Sequence, residues 1–128
     1  MAAFLCEAWV AEVRDPLAVA AAHAGLATSI QHVVTGAPGG EVRYGTVVGA
    51  DGSLTPVAGD VADAEVALTD TYANAVRLLR GELDPNAAFM SGTTKVAGHT
   101  GRLLDVLAAA QGDAYATAQA ELLAATEV

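Results

Sequence analysis

The sequence is poor in bases, cysteine and aromatic rings, and each shortage excludes a class of function. Lys and Arg number 6 against 15 Asp and Glu in 128 residues, a formal net charge of −9. Such a chain does not suit general nucleic-acid binding, which needs a basic face to displace counterions from phosphates. Aromatic residues make up 5% of the chain, too few for a base-stacking stripe to compensate. One cysteine cannot form an internal disulfide. No basic segment followed by a long apolar run opens the chain, so a reducing cytoplasmic setting is the default expectation. The longest stretch without Asp, Glu, Lys or Arg, residues 16–40, is interrupted by His23, Gln31, His32 and a Gly/Pro cluster. A bilayer span instead needs a continuous apolar run of roughly 20 residues.

Catalytic and metal signatures are also missing. His23, His32 and His99 are not spaced like a zinc motif, and Cys6 has no neighbouring base to make it a nucleophile. Gly36, Gly39 and Gly40 are not followed by the Gly-Lys-Ser/Thr of a phosphate loop. Asp51, Asp60, Asp63 and Glu65 lack the alternation of a calcium loop. No metal, cofactor or catalytic residue is therefore expected, and the chain does not read as an enzyme.

What is present is hydrophobic mass: 53% of the residues, 30 of them alanine. The length fits a single domain over residues 1–128. Leu5, Cys6, Trp9 and Val13 share one side of a first helix, and Asp15-Pro16 ends it because a residue before proline is pushed out of the α region. A second helical piece over 16–24 is closed by Gly25. From Thr28 the period becomes two, with Ile30, His32 and Val34 on one strand face. His32 is there either a hydrogen-bonded core histidine or a polar contact for a ligand head group. A second strand over 42–48, an Asp51-Gly52 turn and a third strand over 53–58 complete an antiparallel meander, with Pro56 placing the third strand at an edge. A fourth strand over 64–69 leads into a helix whose Tyr72, Ala75, Val76 and Leu79 share a face. Gly81 ends that helix, Asp84 caps the next with Pro85 in its first turn, and Gly92 ends it in turn. A fifth strand over 93–97 precedes two helices capped by Thr100 and Asp113. The fold class is α+β: a five-stranded, mostly antiparallel sheet covered by helices.

The segment from Tyr72 to Gly98 contains Arg80-Gly81-x-x-Asp84-Pro85 and then Phe89-Met90-x-Gly92-x-x-Lys95-Val96-x-Gly98. In these motifs, and in the opening 4–13, the chain resembles the sterol carrier protein 2 family, including its small bacterial members. The resemblance implies an apolar cavity between sheet and helices, carriage of a fatty acid, fatty acyl-CoA or sterol, and no covalent chemistry. It also implies that Phe89 and Met90 border the lipid space and that the segment 115–123 covers its mouth.

Burying methylenes supplies about 0.8 kcal/mol each, so ten would give roughly 8 kcal/mol before ordering costs, a micromolar affinity. The expected lining consists of the large inward residues of the covering elements: Trp9, Val76, Leu79, Phe89, Met90, Leu103, Leu107, Leu122 and Leu123. Periodicity is the same for a cavity wall and a closed core, so both readings of these residues stay open. Between Arg77 and Arg102 four bases meet two acids, which leaves +2 there and −11 on the rest of the chain. Arg77, Arg80 and Arg102 would suit an anionic head group, and the local charge would permit transient contact with an anionic membrane surface; ordinary ion pairs on solvated helices would look the same. The alternative function is an accessory interaction module of this fold without a lipid of its own. A monomer and a homodimer are both compatible with the sequence.

Overall fold

The computed structural model describes residues 2–128. In chain order the elements are β1 (Ala2–Ala3), α1 (Glu7–Glu12), α2 (Pro16–His23), β2 (Thr28–Ala37), β3 (Gly40–Val48), β4 (Leu54–Ala58), β5 (Val66–Thr71), α3 (Tyr72–Leu79), α4 (Pro85–Met90), β6 (Lys95–Gly98), α5 (Thr100–Ala109), α6 (Asp113–Ala124) and β7 (Thr126–Glu127). The α+β plan is as the sequence implies. The main sheet has the order β4-β3-β2-β5-β6, and β1 and β7 form a separate parallel pair that joins the two ends of the chain.

The sheet is mixed rather than mostly antiparallel. β2–β3, β3–β4 and β5–β6 are antiparallel, but the central β2–β5 ladder is parallel. The physical reason is a crossover between β4 and β5. Pro56 belongs to the edge strand β4, as its missing amide hydrogen requires, and the chain then returns across one face of the sheet to pair beside β2. Gln31 fastens that crossover. Its Oε1 accepts from Val61 N at 2.6 Å, and its Nε2 donates to Gly59 O at 3.2 Å and Tyr44 O at 3.0 Å. Val61 is buried against the sheet at Gly45, where a Cβ would collide with Val61 and the Ile30 carbonyl.

The helices cover the opposite face, where strand alternation points Ile30, His32 and Val34 inward. The core forms two clusters. One gathers Leu17, Ile30, Val48, Val66, Leu68, Leu103, Val106 and Leu107; the other gathers Leu5, Trp9, Val10, Val13, Val34, Tyr44 and Ala75. Ile30 and Val34 lie in different clusters, and His32 stands between them on the same strand. The polar residue divides the core.

Several motif residues act as backbone punctuation. Gly81 and Gly92 have φ of +74° and +73°, and the Asp84 side chain accepts from Asn86 N and Ala87 N to start α4. Gly98 has φ +100° and no room for a side chain, since a Cβ would meet the Glu65 carbonyl. Gly98→Ala is therefore expected to lower stability by more than about 1 kcal/mol in denaturant unfolding. Two caps differ from expectation. His99, not Thr100, caps α5, with Nδ1 accepting from Arg102 N at 3.0 Å. Asp113 lies inside α6, whose cap is Gly112.

Candidate functional site

Between the core clusters lies a hollow of about 90 Å³. Its floor comes from the sheet (His32, Val34, Tyr44, Leu68 and Asp70) and its roof from α3, α4, α5 and α6 (Ala75, Leu78, Leu79, Pro85, Phe89, Leu103, Leu107, Tyr115, Gln119 and Leu122). Phe4, Trp9, Asp15, Pro16, Leu17 and Thr94 complete it. The volume falls below the roughly 300–1,000 Å³ usual for small-molecule sites, so the structure does not display a cavity ready for a whole lipid. A long chain would have to displace the roof.

The structure brings together six of the expected lining residues: Trp9, Leu79, Phe89, Leu103, Leu107 and Leu122. Val76, Met90 and Leu123 do not line the hollow. Helix α3 turns Ala75, Leu78 and Leu79 inward and leaves Val76 half-buried to one side. Met90 ends the short α4 and is 80% exposed. Leu123 is half-buried beside the inward Leu122. Nor do the expected head-group arginines reach the hollow. Arg77 is on the exposed side of α3, and Arg80, which follows as its C-cap, is exposed as well. Arg102 is engaged with Glu65 at 3.8 Å and Asp105 at 3.7 Å.

Polar chemistry comes instead from His32, for which a head-group contact is one of the two expectations, and from Asp15, Asp70, Tyr44 and Tyr115, to which the sequence assigns no site. Asp15 caps α2, its Oδ1 accepting from Leu17 N at 3.0 Å, while its Oδ2 meets His32 Nε2 at 2.6 Å. Both side chains are nearly buried, 12% exposed for His32 and 6% for Asp15. Burial alone would lower the His32 pKa, but the charge and hydrogen bond of Asp15, with help from Asp70, raise it above the usual value. The imidazole stacks on Tyr44, ring centroids 4.8 Å apart. Asp70 accepts from Thr94 Oγ1 at 2.6 Å. Burial pushes its carboxyl upward, against the opposing pull of that hydrogen bond and of His32. Tyr44 and Tyr115 are raised by burial first and by nearby carboxylates second, so both phenols are protonated at neutral pH. His32 has the hydrogen bond expected of a core histidine, and its ring also lines the hollow.

A second depression, a surface groove of about 510 Å³, runs between α1 and α6 along Ala8, Glu12, Ala118 and Glu121. Trp9 and Leu122 line both the groove and the hollow. These two side chains form the partition between them. Among the described residues no group of His, Cys, Asp and Glu could hold a metal ion, and no helix is long and apolar enough to cross a membrane.

The sequence profile of the SCP-2 sterol transfer family matches residues 8–111. Comparison with curated proteins gives no match. The fold resembles that of a conserved hypothetical protein from Thermus thermophilus, described as a candidate sterol carrier protein, at 22% identity and a TM-score of 0.68, covering 93% of this chain and 89% of that one. A crystal structure of sterol carrier protein 2 aligns at 21% identity and a TM-score of 0.63, covering 91% of this chain and 97% of the other. Palmitated SCP2L2 from Aedes aegypti aligns at 14% identity and a TM-score of 0.55, covering 70% and 83%.

Proposed function

The chain belongs to the SCP-2 sterol transfer family, and from that membership together with the geometry of the hollow we propose that it binds one lipid-like molecule without covalent chemistry. The observation that carries this reading is the hollow between the two core clusters, roofed by four helices and walled mainly by apolar side chains. A fold neighbour in palmitated form supports a lipid as the occupant. Fatty acids, acyl-CoA thioesters and sterols are the ligand classes considered, carried through a compartment such as the cytoplasm with transient contact at membrane surfaces.

In this proposal the ligand enters by displacement of α6. That helix has one buried residue, Ala118, and no side-chain cap at its start. It packs on α2 and α3, and its side-chain hydrogen bonds to the rest of the chain run from Gln119 to the Leu79 carbonyl and, through Thr126, to Trp9. Moving it outward merges the α1–α6 groove with the hollow across Trp9 and Leu122. Amide hydrogen exchange over 113–124 is expected to differ between free and lipid-loaded protein. Identical protection in the two states would remove the lid.

Trp9 is the sole tryptophan and lines the hollow, so its emission reports occupancy directly. Titration of delipidated protein with long-chain lipids is expected to saturate with micromolar Kd, and an organic extract of native protein to contain the occupant by mass spectrometry. A flat titration together with an empty extract would overturn the reading. The small volume of the hollow favours one competitor, an accessory association module with a closed core. A dimer by size exclusion whose stability is unchanged by lipid would select it.

A further inference from the structure

We propose that the hollow selects lipids whose buried end carries an uncharged hydroxyl and rejects free carboxylates, with the Asp70 carboxylate as the acceptor that reads the hydroxyl. This rests on the preceding reading that an apolar ligand occupies the hollow, and it names the chemistry of the ligand's inner end.

The sign of the floor carries the inference. Among the described residues lining the hollow there is no Arg or Lys; the ionisable groups besides the two phenols are Asp15, His32 and Asp70. His32 is already paired with Asp15 at 2.6 Å, so the lining holds two carboxyl groups against one imidazole, and Asp70 is the carboxyl with no cationic side chain in contact. A fatty acid carboxylate entering head first would meet a second carboxylate in a site of low dielectric, where like charges repel far more than in water. The cations that could have reversed this, Arg77, Arg80 and Arg102, lie outside the hollow.

The hydrogen-bond inventory points the same way. Asp70 is 7% exposed, and Thr94, at Oδ1, is the one hydrogen-bond partner of its carboxylate among the described residues. Oδ2 has no hydrogen-bond partner among the described residues. A plain methylene chain filling the space would leave that acceptor without a hydrogen bond, which costs affinity. A hydroxyl donates to Asp70 and adds no charge. Its oxygen can in turn accept from a buried phenol, since the protonated Tyr44 and Tyr115 also line the hollow.

The test is titration of delipidated protein in mildly alkaline buffer with 1-hexadecanol, 1-methoxyhexadecane and palmitate, which share one carbon chain and differ at the end. The alcohol is expected to bind at least about tenfold tighter than either of the others. In Asp70→Asn, which keeps the shape and an oxygen acceptor but removes the charge, the penalty on palmitate is expected to shrink by about tenfold. That variant is expected to melt at or above the wild type, because it relieves a desolvated charge. Palmitate or the ether binding as well as the alcohol to wild-type protein would overturn the proposal, as would an unchanged palmitate penalty in Asp70→Asn. If all three bind equally, only the selectivity falls. If none binds, the lipid-binding reading falls with it.

Discussion

Asp15→Ala is expected to lower the unfolding free energy by about 3–5 kcal/mol, the cost of breaking a buried ion pair from one side. The loss of the α2 cap adds about 1 kcal/mol, because the same carboxylate accepts from Leu17 N and meets His32. For a domain of this size the melting temperature should fall by roughly 10–20 °C. His32→Ala should approach the ion-pair part of that loss, since it leaves Asp15 desolvated without its partner. The double variant should lose less than the two single losses added together, because the second substitution removes a charge the first has stranded. Additive losses would mean that the two residues do not stabilise each other.

The pH dependence has a definite sign. His32 titrates above its ordinary value of 6.5 in the folded protein, so the folded state holds that proton more tightly than the unfolded chain. The pair's contribution is complete below about pH 6.5 and declines as pH rises through the raised folded value. Asp70, also raised, is likewise most favourable in its protonated form, with its window above the ordinary carboxylate value of 3.8. Denaturant midpoints measured from neutral to alkaline pH should therefore fall for the wild type and fall less for His32→Gln. Parallel curves would show that His32 does not gain its proton on folding.

How much of this was legible in the sequence depends on whether the deciding force is local. The Gly81, Asp84-Pro85 and Gly92 signals encode turns and caps that a short segment settles by itself, and α3 and α4 form where expected, while the strand expected over 93–97 lies at Lys95–Gly98. The parallel β2–β5 ladder was not legible, because alternation tells each strand which face to bury but not which strand to lie beside. The partner is chosen by the crossover that Gln31 fastens through Val61 and Gly59, a side-chain anchorage with no periodic signature. Helical spacing found Leu79, Leu103, Leu107 and Leu122, yet it placed Val76 on the inward face because apolar character alone does not fix the rotation of α3. A local excess of Arg and Lys carries no direction, so the arginines were assigned to a head group that the hollow does not present to them. Asp70 had a readable signal: it follows Val66 and Leu68 in the same alternation, and a carboxylate in phase with two buried aliphatic residues asks what it faces. Asp15 was read only as a helix stop, although a residue that caps a helix can turn its second oxygen inward.

Trp9→Ala is expected to cost about 3–5 kcal/mol and to weaken retention of any bound lipid. Trp9 is 5% exposed, packs edge-on against Phe4 at 5.0 Å and Tyr44 at 5.2 Å, and donates from Nε1 to Thr126 Oγ1 at 3.0 Å. Thr126 passes the link on, its hydroxyl donating to the Leu122 carbonyl at 2.6 Å. The indole therefore ties α1 to the end of α6 while also forming the partition between groove and hollow. Trp9→Phe separates these roles: most of the packing stays and only the donor is lost, so the stability loss should be about 1 kcal/mol. Because the latch is broken in both variants, lipid release followed with an extrinsic probe should be faster in each, while the melting temperature falls steeply only for Trp9→Ala. Release unchanged in Trp9→Phe would mean that the Trp9–Thr126 hydrogen bond does not hold the roof, and that α6 is kept in place by its packing on α2 and α3 and by the Gln119 hydrogen bond to the Leu79 carbonyl.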